Sequence, residues 1–288
     1  MIYERYGELV SFVLVFSFVV SVYLYISAYL FNRVEKHHIT GNFFLDFWLG
    51  VELNPRFGGL DLKMFALRPG MIGWIMINLS TLTKQYATLG TVGLRMFLSF
   101  LLSFLYVADY FFFEEKMLST WDIIAEHWGF MLVWADLWFI PITFSIQGWY
   151  LLELDDNISA PHIFLTLALF AVGYYIFRIS NLEKDQFKND PEKRIWGKKA
   201  KSIDNKLLVD GWWGKMQHPN YVGDILMAIS FSLPAGYSYL GAYFYPIYLT
   251  TLLIHRQMRD DKKCANKYGT LWEKYTKQVP YKLIPGLY

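Results

Sequence analysis

Long apolar runs separated by short polar connections dominate this 288-residue chain. Crossing the hydrocarbon core of a bilayer takes about 20 apolar residues in a helix. By that measure the pattern predicts spans over 9–31, 69–82, 89–113, 128–152 and 161–179. A final pair over about 221–240 and 242–255 is divided at Pro234-Ala235-Gly236. The second and last spans are short for a crossing, so they are tilted, re-entrant, or longer than their polarity-based ends. Broken helices at membrane depth survive only where protein or a wet cavity satisfies the backbone. The expectation is an all-α fold, a polytopic integral membrane helical bundle forming one membrane domain over 1–288.

Composition narrows the class. The chain is 55% hydrophobic and 19% aromatic but only 18% charged, with a mean hydropathy of +0.24, which excludes an ordinary soluble domain. One cysteine, Cys264, excludes an internal disulfide and a cysteine-rich metal site. The first run follows Tyr3-Glu4-Arg5-Tyr6-Gly7-Glu8 and lacks a small-residue cleavage site, so it reads as a spanning helix rather than a signal peptide.

Charge distribution gives a topology. Eighteen of the 27 Lys and Arg residues lie from Arg178 onward, and nine fall within 178–206. The positive-inside bias puts that loop in the cytoplasm. Counting back places the acidic connection 153–156 outside, the 114–127 loop and the 32–66 segment inside, and the N-terminus outside. A hairpin over 221–255 returns the tail to the inside. Segment 259–280 is charged, with Trp272 and Tyr275 a helical step apart, which predicts an amphipathic, interfacial C-terminal helix. Glu183, Asp185, Asp190, Glu192 and Asp204 interrupt the basic loop. Topology explains its cations, and no nucleic-acid partner is expected.

Five polar clusters could carry chemistry. Gly41, Asp46, Gly50 and Glu52-Leu53-Asn54-Pro55-Arg56 offer a rigid polar edge, or simply a charged interfacial loop. Asp109, Glu114, Glu115, Asp136 and Gln147 lie in or beside spans three and four. Asp136 stands mid-span between Trp134 and Trp138, where a carboxylate costs roughly 2–3 kcal/mol unless it faces a cavity or partner. It could donate a proton, or hydrogen-bond between helices for packing. Arg178, Asn181, Lys184 and Lys188 share one helical face, able to bracket phosphates or to snorkel into headgroups.

The fourth cluster is Gly211-Trp212-Trp213-Gly214 with His218-Pro219-Asn220-Tyr221 and Gly223-Asp224, where glycines beside tryptophans admit a flat ligand. His218 could bind phosphate or carry a proton; no second ligand stands at useful spacing, so no metal is expected there. In the fifth, Arg256 and Arg259 lie about one turn apart and could grip phosphates, with Asp260 orienting one of them. No G-x-G-x-x-G follows a predicted strand, so any dinucleotide site is not a Rossmann fold.

These clusters carry a resemblance, most specifically the first and the last. Gly41-x4-Asp46-x3-Gly50-x2-Leu53-x-Pro55-Arg56 and His255-Arg256-x2-Arg259-Asp260-x3-Cys264-x2-Lys267-Tyr268-Gly269-x2-Trp272-x2-Tyr275 resemble the two signatures of the sterol reductase family. The likeness runs from about residue 9 to residue 288. Departures are Phe44-Leu45, Lys188 where an Arg is common, and Gln217 in place of a usual Arg, a loss that Lys215 could compensate. Trp196-Gly197-Lys198 looks like the Δ7-reducing members, whereas His218-Pro219-Asn220 looks like the Δ14 members. Family members usually carry further membrane helices ahead of the point where this chain starts, which suggests a short form or a fragment.

The resemblance implies reduction of a sterol double bond by NADPH, through hydride transfer and protonation at a cytosol-facing cofactor pocket. Residues 9–160 would be mainly the sterol side and 161–288 mainly the NADPH-binding half. Asp136 and Tyr150 are the implied catalytic candidates near the sterol. Arg178, Lys184, Lys188, Trp213, His218, Asn220, Tyr221, Asp224, Arg256, Arg259, Asp260 and Tyr268 are the implied cofactor-binding residues, with Tyr268 or Trp272 covering adenine or nicotinamide. Implied partners are a sterol and membrane lipid, with no metal and with homo-oligomerisation left open. The implied location is the endoplasmic reticulum in a eukaryote or the inner membrane in a bacterium. A Δ24(28) reductase, a non-catalytic sterol-binding scaffold and an S-adenosylmethionine-dependent membrane methyltransferase are the alternatives. The cation array speaks against the last.

Overall fold

The structure, a computed structural model, describes residues 2–152, 154, 157–190, 192 and 194–288. Glu153, Asp155 and Asp156 of the acidic connection and Lys193 of the basic loop lie outside the described residues. Contacts divide the chain into two compact units, Met1–Asp156 and Asn157–Tyr288. Among the described residues regular structure is helical apart from three two-residue antiparallel ribbons.

In the first unit, α1 (Tyr6–Leu30) buries Ser17, Ser21, Leu24, Ser27 and Ala28, while Phe12, Phe16, Phe18 and Val19 are exposed. Small residues inward and bulky ones outward are what lipid demands, because close backbone approach rather than hydrophobic exclusion drives packing there. The Ser17 and Ser21 hydroxyls donate to the Val13 and Ser17 carbonyls at 2.8 and 2.7 Å, so neither is left unpaired. A short helix α2 (Phe43–Leu49) begins at Asn42, whose side chain accepts from the Phe44 amide at 3.0 Å. The ribbon β1 (Arg56–Phe57) and β2 (Leu60–Asp61) leads into α3 (Leu62–Leu89), capped by Asp61.

Helix α3 overruns the predicted span 69–82 by seven residues at each end. The reason is physical: Lys63, Asn78, Thr81 and Gln85 point inward and are buried, so polarity did not mark the ends. Then follow α4 (Leu94–Phe112), α5 (Trp121–Ile124), α6 (Phe130–Trp134), a widened π-type turn Ala135–Phe139, α7 (Ile140–Thr143) and α8 (Ile146–Leu151). Leu24, Ala66, Trp128 and Val133 form a buried cluster joining α1, α3 and α6.

In the second unit, α9 (Ala160–Asn189) runs ten residues past the predicted end at 179 into the cationic stretch. The ribbons β3 (Arg194–Ile195) with β4 (Lys198–Lys199) and β5 (Ser202–Ile203) with β6 (Leu207–Leu208) follow, then a tight 3-10 turn Gly211–Gly214. Helix α10 (Pro219–Ser232) is shorter than expected, because a Leu233–Ala235 turn and Gly236 at φ +70° end it. Helix α11 (Phe244–Tyr268) passes unbroken from apolar to charged sequence. The helix predicted over 259–280 is therefore two pieces, the end of α11 and α12 (Thr270–Gln278), divided at Gly269. Trp272 and Tyr275 pack inward against Val209 and Val279.

Four helical stretches among the described residues are long and apolar enough to cross a membrane: Tyr3–Leu30, Leu94–Phe112, Phe130–Leu151 and Ala160–Asn189. The protein is a multi-pass integral membrane protein, and these four match the first, third, fourth and fifth predicted spans.

Helices α9 and α10 meet through Gly173 and Gly223. A Cβ on Gly223 would lie 2.6 Å from the Gly173 carbonyl oxygen, and one on Gly173 would lie 2.8 Å from that of Gly223. Neither obstacle is a flexible side-chain end. Gly223→Ala should therefore lower the melting temperature of the detergent-solubilised protein, at the roughly 1–3 kcal/mol typical of overpacking. Gly7→Ala, whose Cβ meets open space, is the control and should leave the melting curve in place.

Candidate functional site

Each unit encloses one polar centre. In the first, Asp136 sits in the π-type turn between α6 and α7 and is buried. A π-type turn widens the backbone ring and re-aims its side chains, a feature common at functional positions. The Trp128 indole Nε1–H donates to Asp136 Oδ2 at 3.0 Å. Gly70 of α3 faces the Asp136 backbone, where any side chain would run into its carbonyl oxygen. Lys63 lies within electrostatic reach of Asp136. Its Nζ donates to the carbonyls of Asp122 and Glu126, both at 2.7 Å. This buried lysine closes the end of α5 and positions the loop that carries Trp128. Tyr150 lies in α8 and is half-buried.

Three other sequence-selected acids of this unit hold its local structure. Asp46 accepts from the Thr40 amide and hydroxyl, both at 2.8 Å, and fixes the turn ahead of α2. Glu52 pairs with Arg33 at 3.4 Å, and Glu114 forms a two-pronged pair with Arg68 at 2.7 and 2.9 Å.

In the second unit the α9 cations, the Trp-Trp turn and α11 converge. The Lys184 ammonium stands 4.1 Å from the Trp213 ring centroid and within electrostatic reach of Asp260, Lys188 and Cys264. The Trp213 indole donates to the Ser180 carbonyl at 2.8 Å, which locks its plane. Glu183, one residue before Lys184, accepts from the Trp212 amide at 2.9 Å and lies against Gly211, so α9 itself folds the turn. Asn181 departs from the cation face: its amide donates to the Phe177 carbonyl at 2.8 Å.

His218 is buried and stacks on Tyr221 at 4.9 Å. The C-terminal segment holds it in place, since the amides of Gln217 and His218 donate to the Tyr281 and Lys282 carbonyls at 2.9 and 3.0 Å. His218 Nε2, Asn220 Oδ1 and Gln217 Oε1 are buried without a hydrogen-bond partner among the described residues. Buried polar atoms left in that state are costly, and a polar ligand is one way of satisfying them. Lys188 and Tyr268 line an open cleft of about 560 Å³ together with Lys206 and Lys267.

Arg256 is half-buried on α11 and Arg259 is exposed one turn further on; Arg178 and Asp224 are half-buried on α9 and α10. The side chain of Gln217 donates to the Val279 carbonyl at 2.8 Å, and Lys215 lies over the rings of Trp212 and Trp196 at 4.5 and 5.2 Å. Gln217 thus anchors the tail, and the two indoles engage Lys215. Sequence reasoning missed Lys63, Trp128 and Glu183. For Lys63 the signal was a lone cation directly ahead of an apolar run; the partners of the other two are distant in sequence.

Helices of membrane length, with buried acids and cations inside each bundle and no strand-based nucleotide fold among the described residues, define a multi-pass membrane protein with helix-built polar centres. Comparison with known sequences is specific. The profile of the "Ergosterol biosynthesis ERG4/ERG24 family" matches residues 1–288. A Delta(14)-sterol reductase of Arabidopsis thaliana is 45% identical over 288 residues, covering 99% of this chain and 78% of the relative. The Delta(14)-sterol reductase of Methylotuvimicrobium alcaliphilum is 42% identical, covering 100% and 68%. A 7-dehydrocholesterol reductase of Danio rerio is 40% identical, covering 95% and 61%. The chain belongs to the ergosterol biosynthesis ERG4/ERG24 family, and it is an oxidoreductase.

Burial, reinforced by Lys184, pushes the His218 imidazole down to about 3, with Asp261 opposing. Its folded value lies below the unfolded one near 6.5. The neutral ring's contribution to stability is therefore full above pH 6.5 and is lost as pH falls from there toward 3. The slope reaches at most about 1.4 kcal/mol per pH unit. His218→Gln should flatten the fall in melting temperature between pH 7 and pH 5 relative to the native chain, measured in detergent. Identical slopes would mean that folding leaves the His218 pKa where it is in the unfolded chain.

Proposed function

We propose that the protein reduces the Δ14 double bond of a sterol with NADPH. The observation that carries this reading is the second unit's cluster, with Lys184 against Trp213 and Asp260, and His218 and Asn220 presenting unsatisfied polar atoms. Those groups suit a flat, multiply phosphorylated cofactor. The choice of bond follows the relatives named Delta(14)-sterol reductase, 41–45% identical against 40% for the 7-dehydrocholesterol reductase. His218-Pro219-Asn220 agrees with that choice.

Lys184 and Lys188 would neutralise phosphate, with Arg178, Arg256 and Arg259 adding cations and Lys206 and Lys267 flanking the cleft. Asp260 would orient the Lys184 ammonium. Trp213 and Tyr268 offer ring faces to adenine or nicotinamide, and Tyr221 holds the His218 plane. Asp224, half-buried on α10, completes the polar lining. Bound there, NADPH would supply hydride to one carbon of the alkene. An isolated alkene is a poor electrophile, so a protein acid must protonate the other carbon in a water-shielded site. Asp136 is the first candidate for that acid, with Trp128 fixing one of its oxygens, and Tyr150 is the second. Residues 9–160 would supply mainly the sterol side and 161–288 mainly the cofactor half, with the cofactor pocket facing the cytosol. The endoplasmic reticulum of a eukaryote or the inner membrane of a bacterium suits such an enzyme.

The test uses the detergent-solubilised full chain with NADPH and, separately, Δ14, Δ7 and Δ24(28) sterols. A product two mass units heavier from the Δ14 sterol alone is expected. A heavier product only from another sterol would reassign the bond, and a bound sterol without NADPH consumption would mark a non-catalytic scaffold.

Two variants separate the roles. Lys184→Ala should weaken NADPH binding by about tenfold or more, given roughly 1.5–3 kcal/mol for a hydrogen bond to a charged group. Asp136→Asn should leave NADPH binding intact while kcat falls by about 100-fold or more, the scale of general acid catalysis. Unchanged turnover in Asp136→Asn would move the proton donor to Tyr150.

A further inference from the structure

A second constellation lies in the first unit, on residues given no role above. Glu35, His38 and His127 present one donor atom each, all within 4.8 Å of one another. Glu35 Oε2 is 3.2 Å from His127 Nε2, and the His38 and His127 ring centroids are 4.1 Å apart. Two donors on one Zn²⁺ with ligand distances of 2.0–2.2 Å stand roughly 3.4 Å apart in a tetrahedron. The Glu35–His127 pair already has that spacing. His38 is exposed, so its ring has room to turn the remaining distance.

The frame beneath these side chains is built. A turn with the His38 amide donating to the Glu35 carbonyl at 2.9 Å places those two residues side by side. The Glu35 amide donates to Val51 O at 2.9 Å, and the Trp128 amide to Glu52 O at 3.1 Å, so a single backbone segment ties down both ligand-bearing loops. Glu35 Oε1 accepts from the Leu53 amide at 3.2 Å, which turns Oε2 toward His127. An orienting bond of this kind on the far side of a ligand is characteristic of metal sites. Glu52 adds a further carboxylate within electrostatic reach of Glu35.

We infer that Glu35, His38 and His127 form a binding site for a borderline divalent cation of the Zn²⁺ class. Two imidazoles and one carboxylate are the donor set for such ions, and the exposed side leaves a position for water. The ion would strap the turn after α1 to the loop before α6. His127 adjoins Trp128, whose indole holds Asp136, so the strap would steady that hydrogen bond. The inference stands whether or not the protein proves to be a sterol reductase.

The test uses the full chain in detergent, free of any polyhistidine tag and stripped with chelator. It is titrated with Co²⁺, read by visible d–d absorption, and with Zn²⁺ against a chromophoric competitor. Stoichiometric binding is expected, weakened at least about tenfold in both His38→Ala and Glu35→Gln. Zn²⁺ should raise the melting temperature of the native chain but not of His38→Ala. The exposed His38 serves as the principal variant, because His127 is buried and its loss could disturb folding. Absence of stoichiometric binding, or binding equally tight in His38→Ala and Glu35→Gln, would overturn the assignment.

Discussion

An apolar surrounding gives an ionisable or polar group no water to turn to, so such a group inside the bundle needs a partner in the protein or in a ligand. That requirement orders both units. Lys63 discharges it on the carbonyls at the end of α5, and that contact fixes the loop carrying Trp128. Trp128 in turn satisfies Asp136, which lies against the Gly70 backbone where no side chain fits. Glu183 discharges it on the Trp212 amide and thereby shapes the turn that presents Trp213. Satisfying the polar groups and building the two centres are one operation.

Close backbone approach is the complement of that rule. Lipid-facing surfaces are bulky, as along α1, while the inward surfaces are serine, alanine and glycine. Gly173 and Gly223 let α9 and α10 cross near contact, which brings the cation face of α9 to the start of α10 and its His-Pro-Asn-Tyr run. Van der Waals packing between small residues then does the work that hydrophobic exclusion does in water.

The long apolar helices were legible because lipid imposes a length and a composition that no other setting does. Four spans followed from hydropathy alone. Helix α3 was legible only in its middle, since Lys63, Asn78 and Gln85 look like boundary residues in sequence and are interior in space. The tail was legible as helix but not where it breaks, at Gly269 between α11 and α12. Trp272 and Tyr275 show the spacing of an interfacial face, yet they cover Val209 and Val279. For the candidate site, local spacing identified Asp136, Lys184 and His218 as unusual. It was silent on Trp128 holding Asp136 and on the C-terminal segment holding His218, because those contacts join loops whose partners hydropathy does not mark.

The Lys184–Trp213 contact has a consequence for how that cation is kept in place. A long lysine chain in a poorly hydrated place ordinarily swings toward solvent unless something holds it. Here an aromatic face serves as its placeholder, an attraction of roughly 0.5–2 kcal/mol that is strong enough to hold the chain and weak enough to yield. The side chain's rotamer freedom is thus given up once, when the fold forms, rather than at a later encounter. The indole is in this sense a parking place for charge.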